Sequence, residues 1–328
     1  MAAGKLSPRQ KMINMMYLVL TALLALNVSK EVLDSFFEVN LGIIKTTETV
    51  EEKSQKTLLD LKGDKREKVK QYAKLANGIS GSASELDKFI QSMKHNLVLS
   101  VDNKVYLGRN KIKNKDQLKL ITNDPYDTKG NPTQEVYDGL SEDQQKLNIV
   151  WLSNKSDRNT SADLFNPENK ASFPVDENGN GTATQLKLKI KEFQSRISNK
   201  LRKIEKDTNW TVSGSEDIIK EIESLISISD SNNYGKDQTD TWEVYNFKDM
   251  PSVAALTLLS KWQADIENVE SIVLSFLHKM VDDESYKFTE AIGKAIPSST
   301  FVGSGDQFSA EILVYAYDPT LQGKIYVG

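Results

Sequence analysis

Hydrophobic and polar positions divide this chain into stretches of different period. Between Lys11 and Lys30 the only ionisable side chain is the phenol of Tyr17, and Met12–Val28 is mostly Met, Leu, Ala, Val and Ile. A run of this length falls at the short end of the roughly 17–25 residues that cross a bilayer as a helix. Ser7 followed by Pro8 is a start signal, a hydroxyl N-cap and then a proline whose missing N–H costs nothing. A helix from Pro8 to Val28 rises about 30 Å at ~1.5 Å per residue, enough for a hydrocarbon core. The pattern therefore predicts a short N-terminus over 1–7 and one transmembrane helix over 8–29.

Beyond Lys30 the period is helical. Val32, Phe36, Val39, Ile43, Thr46 and Val50 alternate steps of four and three, the spacing of a coiled-coil seam. The spacing fits a stalk paired with a second copy and equally a core helix within one chain. Residues 51–74 are highly charged; ANGISGSASEL then reads as a break, with Ser82 or Ser84 capping a helix through Leu86, Phe89, Ile90 and Met93. From 98 to 180 the chain is rich in Asn, Asp, Lys and Gly and reads as a loop-rich insert, with a hairpin over Leu97–Leu107 and a helix over Ser141–Leu152. Further helices are expected over Thr184–Lys206, Ile218–Ile228 and, most clearly, after Pro251. There Ala255, Leu259, Trp262, Ile266, Val269, Val273, Phe276 and Met280 keep the four-three alternation throughout.

Near Gly293–Pro297 the pattern changes to that of strands. FSAEILVYAYD alternates as a half-buried strand does, and Ile325–Val327 reads as the start of another. A β-sandwich takes about 100 residues, so the chain is expected to end inside an Ig-like domain beginning at 296–328. The expected fold is mainly α: a single N-terminal transmembrane helix, an elongated helical bundle over 30–292, and the truncated start of a β-sandwich.

Charge sets orientation and removes function classes. Lys5, Arg9 and Lys11 precede the apolar run and no acid occurs among the first thirty residues, so the positive-inside rule puts the N-terminus in the cytoplasm and the bulk of the chain outside. A cleaved signal peptide also has a basic start, but the small-residue cleavage pattern is poor here. With 328 residues, 27% charged and a net charge of −4, no nucleic-acid footprint is visible. The absence of cysteine excludes disulfides, thiol catalysis and cysteine metal sites. His95 and His278 stand far apart, and His95 is expected on the surface. Asp176–Gly181 opens like a calcium loop, but Lys187 occupies the position of the bidentate Glu, so no metal is expected. No nucleophile elbow, P-loop or zinc pair is present. The expected protein is not an enzyme and needs no cofactor.

Gln10, Asn14, Tyr17 and Thr21 are spaced four, three and four and share one face of the first helix, where polar side chains tend to meet a protein neighbour. Arg9 lies off that stripe. It serves either as a snorkelling anchor or as a functional cation that calls for an acidic partner.

The segment GKLSPRQKMINMMYLVLTALLALNVSKEVLDSF resembles the N-terminus of the GldM/PorM family of gliding-motility and type IX secretion proteins. PSVAALTLLSKWQADIENVESIV and AIPSSTFVGSGDQFSAEILVYA are similar to later family regions, whereas roughly 98–240 carries no such likeness. The resemblance implies an inner-membrane subunit with its bulk in the periplasm, acting as a homodimer inside a ring of GldL/PorL-like two-span proteins with membrane-embedded acids. It implies work delivered from proton flow to periplasmic and outer-membrane secretion components. The family's membrane arginine falls on Arg9 and a family tyrosine on Tyr17. Arg9 is then the ion-pair partner in proton coupling, with Gln10, Asn14, Tyr17 and Thr21 forming the transmembrane helix contact. Val32, Phe36, Val39 and Ile43 form the stalk dimer seam. The competing class is a passive membrane-anchored scaffold.

Overall fold

A computed structural model describes residues 7–26, 30–108, 119–121, 138–165, 182–207, 214–228, 231–232, 239–285, 290–298 and most of 301–317. Helix α1 spans Pro8–Leu26 and starts where Ser7 predicts. Ser7 Oγ accepts from Gln10 N, while Gln10 Oε1 accepts from Ser7 N, both at 3.3 Å. This reciprocal pair is a capping box.

No helix among the described residues is long and apolar enough to cross a membrane, so the expected spanning helix finds no support here. The reason lies in the first turns of α1. Arg9, Gln10 and Lys11 belong to the helix, and its apolar part, Met12–Leu26, rises roughly 22 Å against a core of about 30 Å. Residues 27–29, which the sequence reading added to the span, lie outside the described residues.

The bundle is built on three long helices, α2 (Lys30–Gly63), α3 (Glu67–Asp102) and α9 (Ser252–Ser285). Each is about 50 Å long at ~1.5 Å per residue. α2 and α9 run in the same direction: Thr257 Oγ1 donates to Phe36 O at 3.2 Å, and farther along both helices Glu51 faces Glu267. α3 returns alongside them, packed mainly on α9, with Asp87 and Lys94 both reaching Gln263.

The seam that closes this trio is not the one the spacing suggested. α2 buries Leu33, Phe37, Asn40, Ile44, Ser54, Leu58 and Leu61, one position beyond Val32, Phe36, Val39 and Ile43. A step of one residue turns a helix face by about 100°. α2 thus carries two four-three stripes, and the chain closes the second of them.

ANGISGSASEL does not break the chain. α3 runs through Gly78 and Gly81, with Ala76, Ile79 and Ala83 fully buried, because tertiary packing outweighs the weak helix propensity of two glycines. The turn comes earlier, at 64–66, where Asp64 Oδ1 accepts from Arg66 N at 2.9 Å. α3 ends at Asn103, which is left-handed (φ 57°) and returns its N–H to Leu99 O, an ordinary Asn role. The expected hairpin at Leu97–Leu107 is therefore helix up to Asp102.

β1 (Val105–Gly108) pairs antiparallel with β2 (Lys119–Ile121) and β3 (Asn148–Ile149). Only one helical turn, α4 (Glu142–Gln145), forms in the segment expected as a longer helix. α5 (Asn159–Phe165), α6 (Thr182–Asp207), α7 (Ser215–Leu225) and α8 (Trp242–Phe247) pack around the trio. β4 (Ser231–Asn232) and β5 (Thr239–Asp240) form a small antiparallel pair. An aromatic cluster pins α5 and α8 to α9: Trp242 lies 4.9 Å from Trp262 and Phe165 4.8 Å from Phe247, centroid to centroid. β6 (Glu290–Pro297) and β7 (Ala310–Tyr317) form an antiparallel hairpin with an eight-residue register. β6 thus begins six residues before the expected boundary. Residues 176–181 and 325–327 lie outside the described residues.

Candidate functional site

The side chains with functional potential fall in three places: on α1, on the outer stripe of α2, and in the layer between α2, α3 and α9. On α1, Arg9, Gln10, Asn14, Tyr17 and Thr21 are all exposed, as is every other residue from Ser7 to Thr21. Large apolar side chains share that exposure, Met12 at 71% and Leu18 at 68%. An apolar helix left bare by its own chain marks a surface for lipid or protein.

Two of the five polar groups are already engaged locally. Gln10 is held in the capping box with Ser7, and the Thr21 hydroxyl donates to Tyr17 O at 2.6 Å, the common habit of a helical threonine. Asn14 and Tyr17 keep their polar groups toward the surroundings, one turn apart.

The predicted stalk stripe sits on the outside of α2. Val32, Phe36 and Val39 are 45%, 42% and 54% exposed, and Ile43 is half-buried. The complementary stripe is sealed. At its start Lys155 Nζ bonds Asp34 Oδ1 at 2.6 Å and stands 5.1 Å from the Phe37 ring centre. The loop carrying Lys155 also joins the other two helices: Asp102 accepts from Ser153 N and Asn154 N, while Ser252 N donates to Asp157 O. A single collar thus clasps α2, α3 and α9 at the end of the bundle nearest to α1 in the chain. The hydrogen bond from Lys155 holds the Asp34 carboxyl below the usual carboxylate range.

Midway along the bundle the seam turns polar, and sequence reasoning missed this site. Lys94, fully buried, donates to Gln263 Oε1 at 2.9 Å. Gln263 Nε2 donates in turn to Asp87 Oδ1 at 2.7 Å and to Gln91 Oε1 at 3.1 Å. Burial lowers the Lys94 ammonium to about 8 and raises the Asp87 carboxyl, each shift disfavouring the charged form. Glu267 and Glu270 follow on α9, 8% and 7% exposed. Burial, reinforced by Glu270, Asp87 and Glu51, pushes Glu267 up to about 8. Burial raises Glu270 as well, against a hydrogen bond from Ser80.

His95, expected on the surface, is wholly buried with Nδ1 2.8 Å from Gln91 O, and burial lowers it to about 4. One signal of this layer was present in the sequence: charged and amide residues stand at seam positions of α9, Gln263 and Glu270 each directly following a core residue, Trp262 or Val269. The identity of the facing helices was not.

Lys187, which displaces the calcium-loop ligand, lies in α6 and pairs with Glu243 at 3.4 Å. Among the described residues no group of His, Cys, Asp or Glu is arranged to hold a metal ion.

Residues 132–280 match the family model described as the GldM N-terminal domain. The match begins within the loop-rich insert and takes in α6 to α8 and most of α9, so it includes much of the region that carried no visible likeness. No curated protein matches the chain.

Proposed function

This chain belongs to the GldM/PorM family of gliding-motility and type IX secretion components, and from that premise we propose that it is the subunit that carries mechanical work out of the inner membrane. In this reading α1 enters the membrane with its N-terminus in the cytoplasm, and the bundle stands in the periplasm. Two copies pair through the outer stripe of α2 within a ring of GldL-type two-span proteins. Proton flow through that ring drives the movement.

The observation that carries the reading is the pair of bare apolar surfaces, one on α1 and one on the outer stripe of α2. The described α1 side chains have no cover from their own chain, and Val32, Phe36 and Val39 are exposed apolar residues on α2. A three-helix trio of about 50 Å supplies the stiffness that a lever needs. Arg9 is the electrostatic partner of an acid in the ring. A unit charge moved through 100 mV is worth about 2.3 kcal/mol, and protonation of the acid releases its hold on the guanidinium. Asn14 and Tyr17 supply the polar contact between helices, and Thr21 and Gln10 support the helix itself.

The test is affinity purification of the chain from membranes after co-expression with its chromosomal neighbours. A small two-span protein with membrane-embedded acids is expected to accompany it, and to do so still when the chain is cut after α2. Recovery of periplasmic proteins alone would contradict the reading and favour a passive tether, which has the same anchor, stalk and bundle but needs no ring.

A further inference from the structure

We propose that the layer between α2, α3 and α9 is a proton-sensitive latch: a proton on Glu267 keeps the three helices closed there, and its loss loosens them. This goes beyond the motor role and does not rest on it, because it stands on packing inside one chain.

Glu267 sits in a like-charged corner. It is 8% exposed, and the groups that act on it are Glu270 one turn along α9, Asp87 from α3 and Glu51 from α2. The cation of the layer, Lys94, is turned to Gln263 instead, and the charge felt by Lys94 is that of Asp87. Lys88 also acts on Asp87 from the α3 side, and Lys261 is taken by Asp265 at the α9 surface. His95 contacts its own backbone at Gln91. An ionised Glu267 would thus be a buried charge among carboxylates, the arrangement that costs most. Protonated, it is neutral and the layer closes.

The seam on the α2 side is poorly equipped to resist that cost. Between Ile44 and Leu58 the only buried α2 residue is Ser54, and its hydroxyl has no hydrogen-bond partner. Both polar atoms of buried Asn40 and the Ser260 hydroxyl of α9 are likewise unpaired. Apolar grip is therefore concentrated at the two ends of α2, Leu33–Ile44 and Leu58–Leu61, and the middle is held by polar groups whose balance changes with one proton. A helix trio built this way opens locally before it opens globally.

The direct test is hydrogen exchange on the full chain in detergent, following backbone amides of 47–54 in α2 and 263–270 in α9, corrected for intrinsic exchange rates. The comparison is pH 6.5 with pH 8.0. In that window the folded His95 is neutral and Lys94 passes from charged to about half charged; Glu267→Gln leaves both groups in place, so the part of the pH response that this variant removes belongs to Glu267. The native chain is expected to lose protection on the order of tenfold at the higher pH, following the proton released by Glu267. Glu267→Gln, which mimics the protonated carboxyl, is expected to hold the same protection at both values. Lys261→Met, outside the layer, is expected to behave as the native chain does. Equal native protection at the two pH values would overturn the latch, as would an unchanged pH response in Glu267→Gln. The result is independent of whether a ring protein binds.

Discussion

Glu267 and His95 give the bundle opposite pH slopes. The folded Glu267 sits near 8 against an ordinary 4.5, so its contribution is complete below 4.5 and is lost as pH rises toward 8. The folded His95 sits near 4 against 6.5, so its contribution is complete above 6.5 and is lost as pH falls toward 4. Between about 4.5 and 6.5 the two nearly cancel. Denaturant unfolding should therefore show a plateau there and a fall of about 1–2 kcal/mol from pH 6.5 to 8. Glu267→Gln should remove the fall and turn the plateau into a loss of stability toward acid, because the His95 contribution is then no longer offset; a fall between pH 6.5 and 8 that survives the substitution would locate its cause elsewhere. None of this was legible at the residue scale. His95 reads as a surface side chain and Leu97 as the start of a hairpin, yet every residue from Ile90 to Leu99 is buried, because neighbouring elements enclose α3 on all sides. Periodicity reports one buried face and is silent about a helix buried all round.

Helices were legible as elements, their faces less so. α9 appeared in the sequence nearly as it stands: Ala255, Leu259, Trp262, Ile266, Val269 and Val273 are all buried, but at its end Leu277 and Val281 are buried where Phe276 and Met280 were expected. α2 was open to two readings. Leu33–Phe37–Asn40–Ile44 and Val32–Phe36–Val39–Ile43 are both four-three stripes, and choosing between them needs the position of α9, some 220 residues away in the chain. The proposed pairing of two copies through the outer stripe has a sharp consequence. Phe36→Asp with Val39→Asp should abolish dimerisation, read by light scattering of the detergent-solubilised chain, and leave its helical content intact. Loss of the helix itself would place those side chains in the fold instead.

The glycines of α3 invite a complementary check. A Cβ at Gly81 meets nothing within 4 Å, so Gly81→Ala should stabilise the chain by about 0.5–1 kcal/mol through helix propensity. At Gly78 a Cβ would stand 3.0 Å from Lys200 Nζ, the group that donates to Gly78 O. Gly78→Ala should gain less, measured by the same thermal unfolding. The apparent break in the sequence is a helix whose glycines serve a neighbour at one position and cost stability at the other.

At the scale of the whole molecule, the chain resolves into a bare apolar helix, a clasped trio with a polar waist, and a β-hairpin whose outer side chains stand exposed. The collar at Lys155 and Asp34 fastens the end nearest to α1, and the polar layer lies farther along. A push entering through α2 would therefore be received rigidly before it reaches the part able to yield. The order of elements was readable from composition and period. The polar layer was not, because its members come from three helices separated in the chain.

What separates a motor from a tether is Arg9. The decisive measurement is type IX secretion and gliding in cells carrying Arg9→Ala, with recovery of the membrane complex checked in parallel and Arg9→Lys alongside. A motor predicts that Arg9→Ala abolishes both activities while the complex still assembles, and that Arg9→Lys retains a part of them if charge is what matters, or none if the guanidinium shape is required. Secretion and gliding at native levels in Arg9→Ala, with the complex intact, would contradict the motor and leave the chain a scaffold.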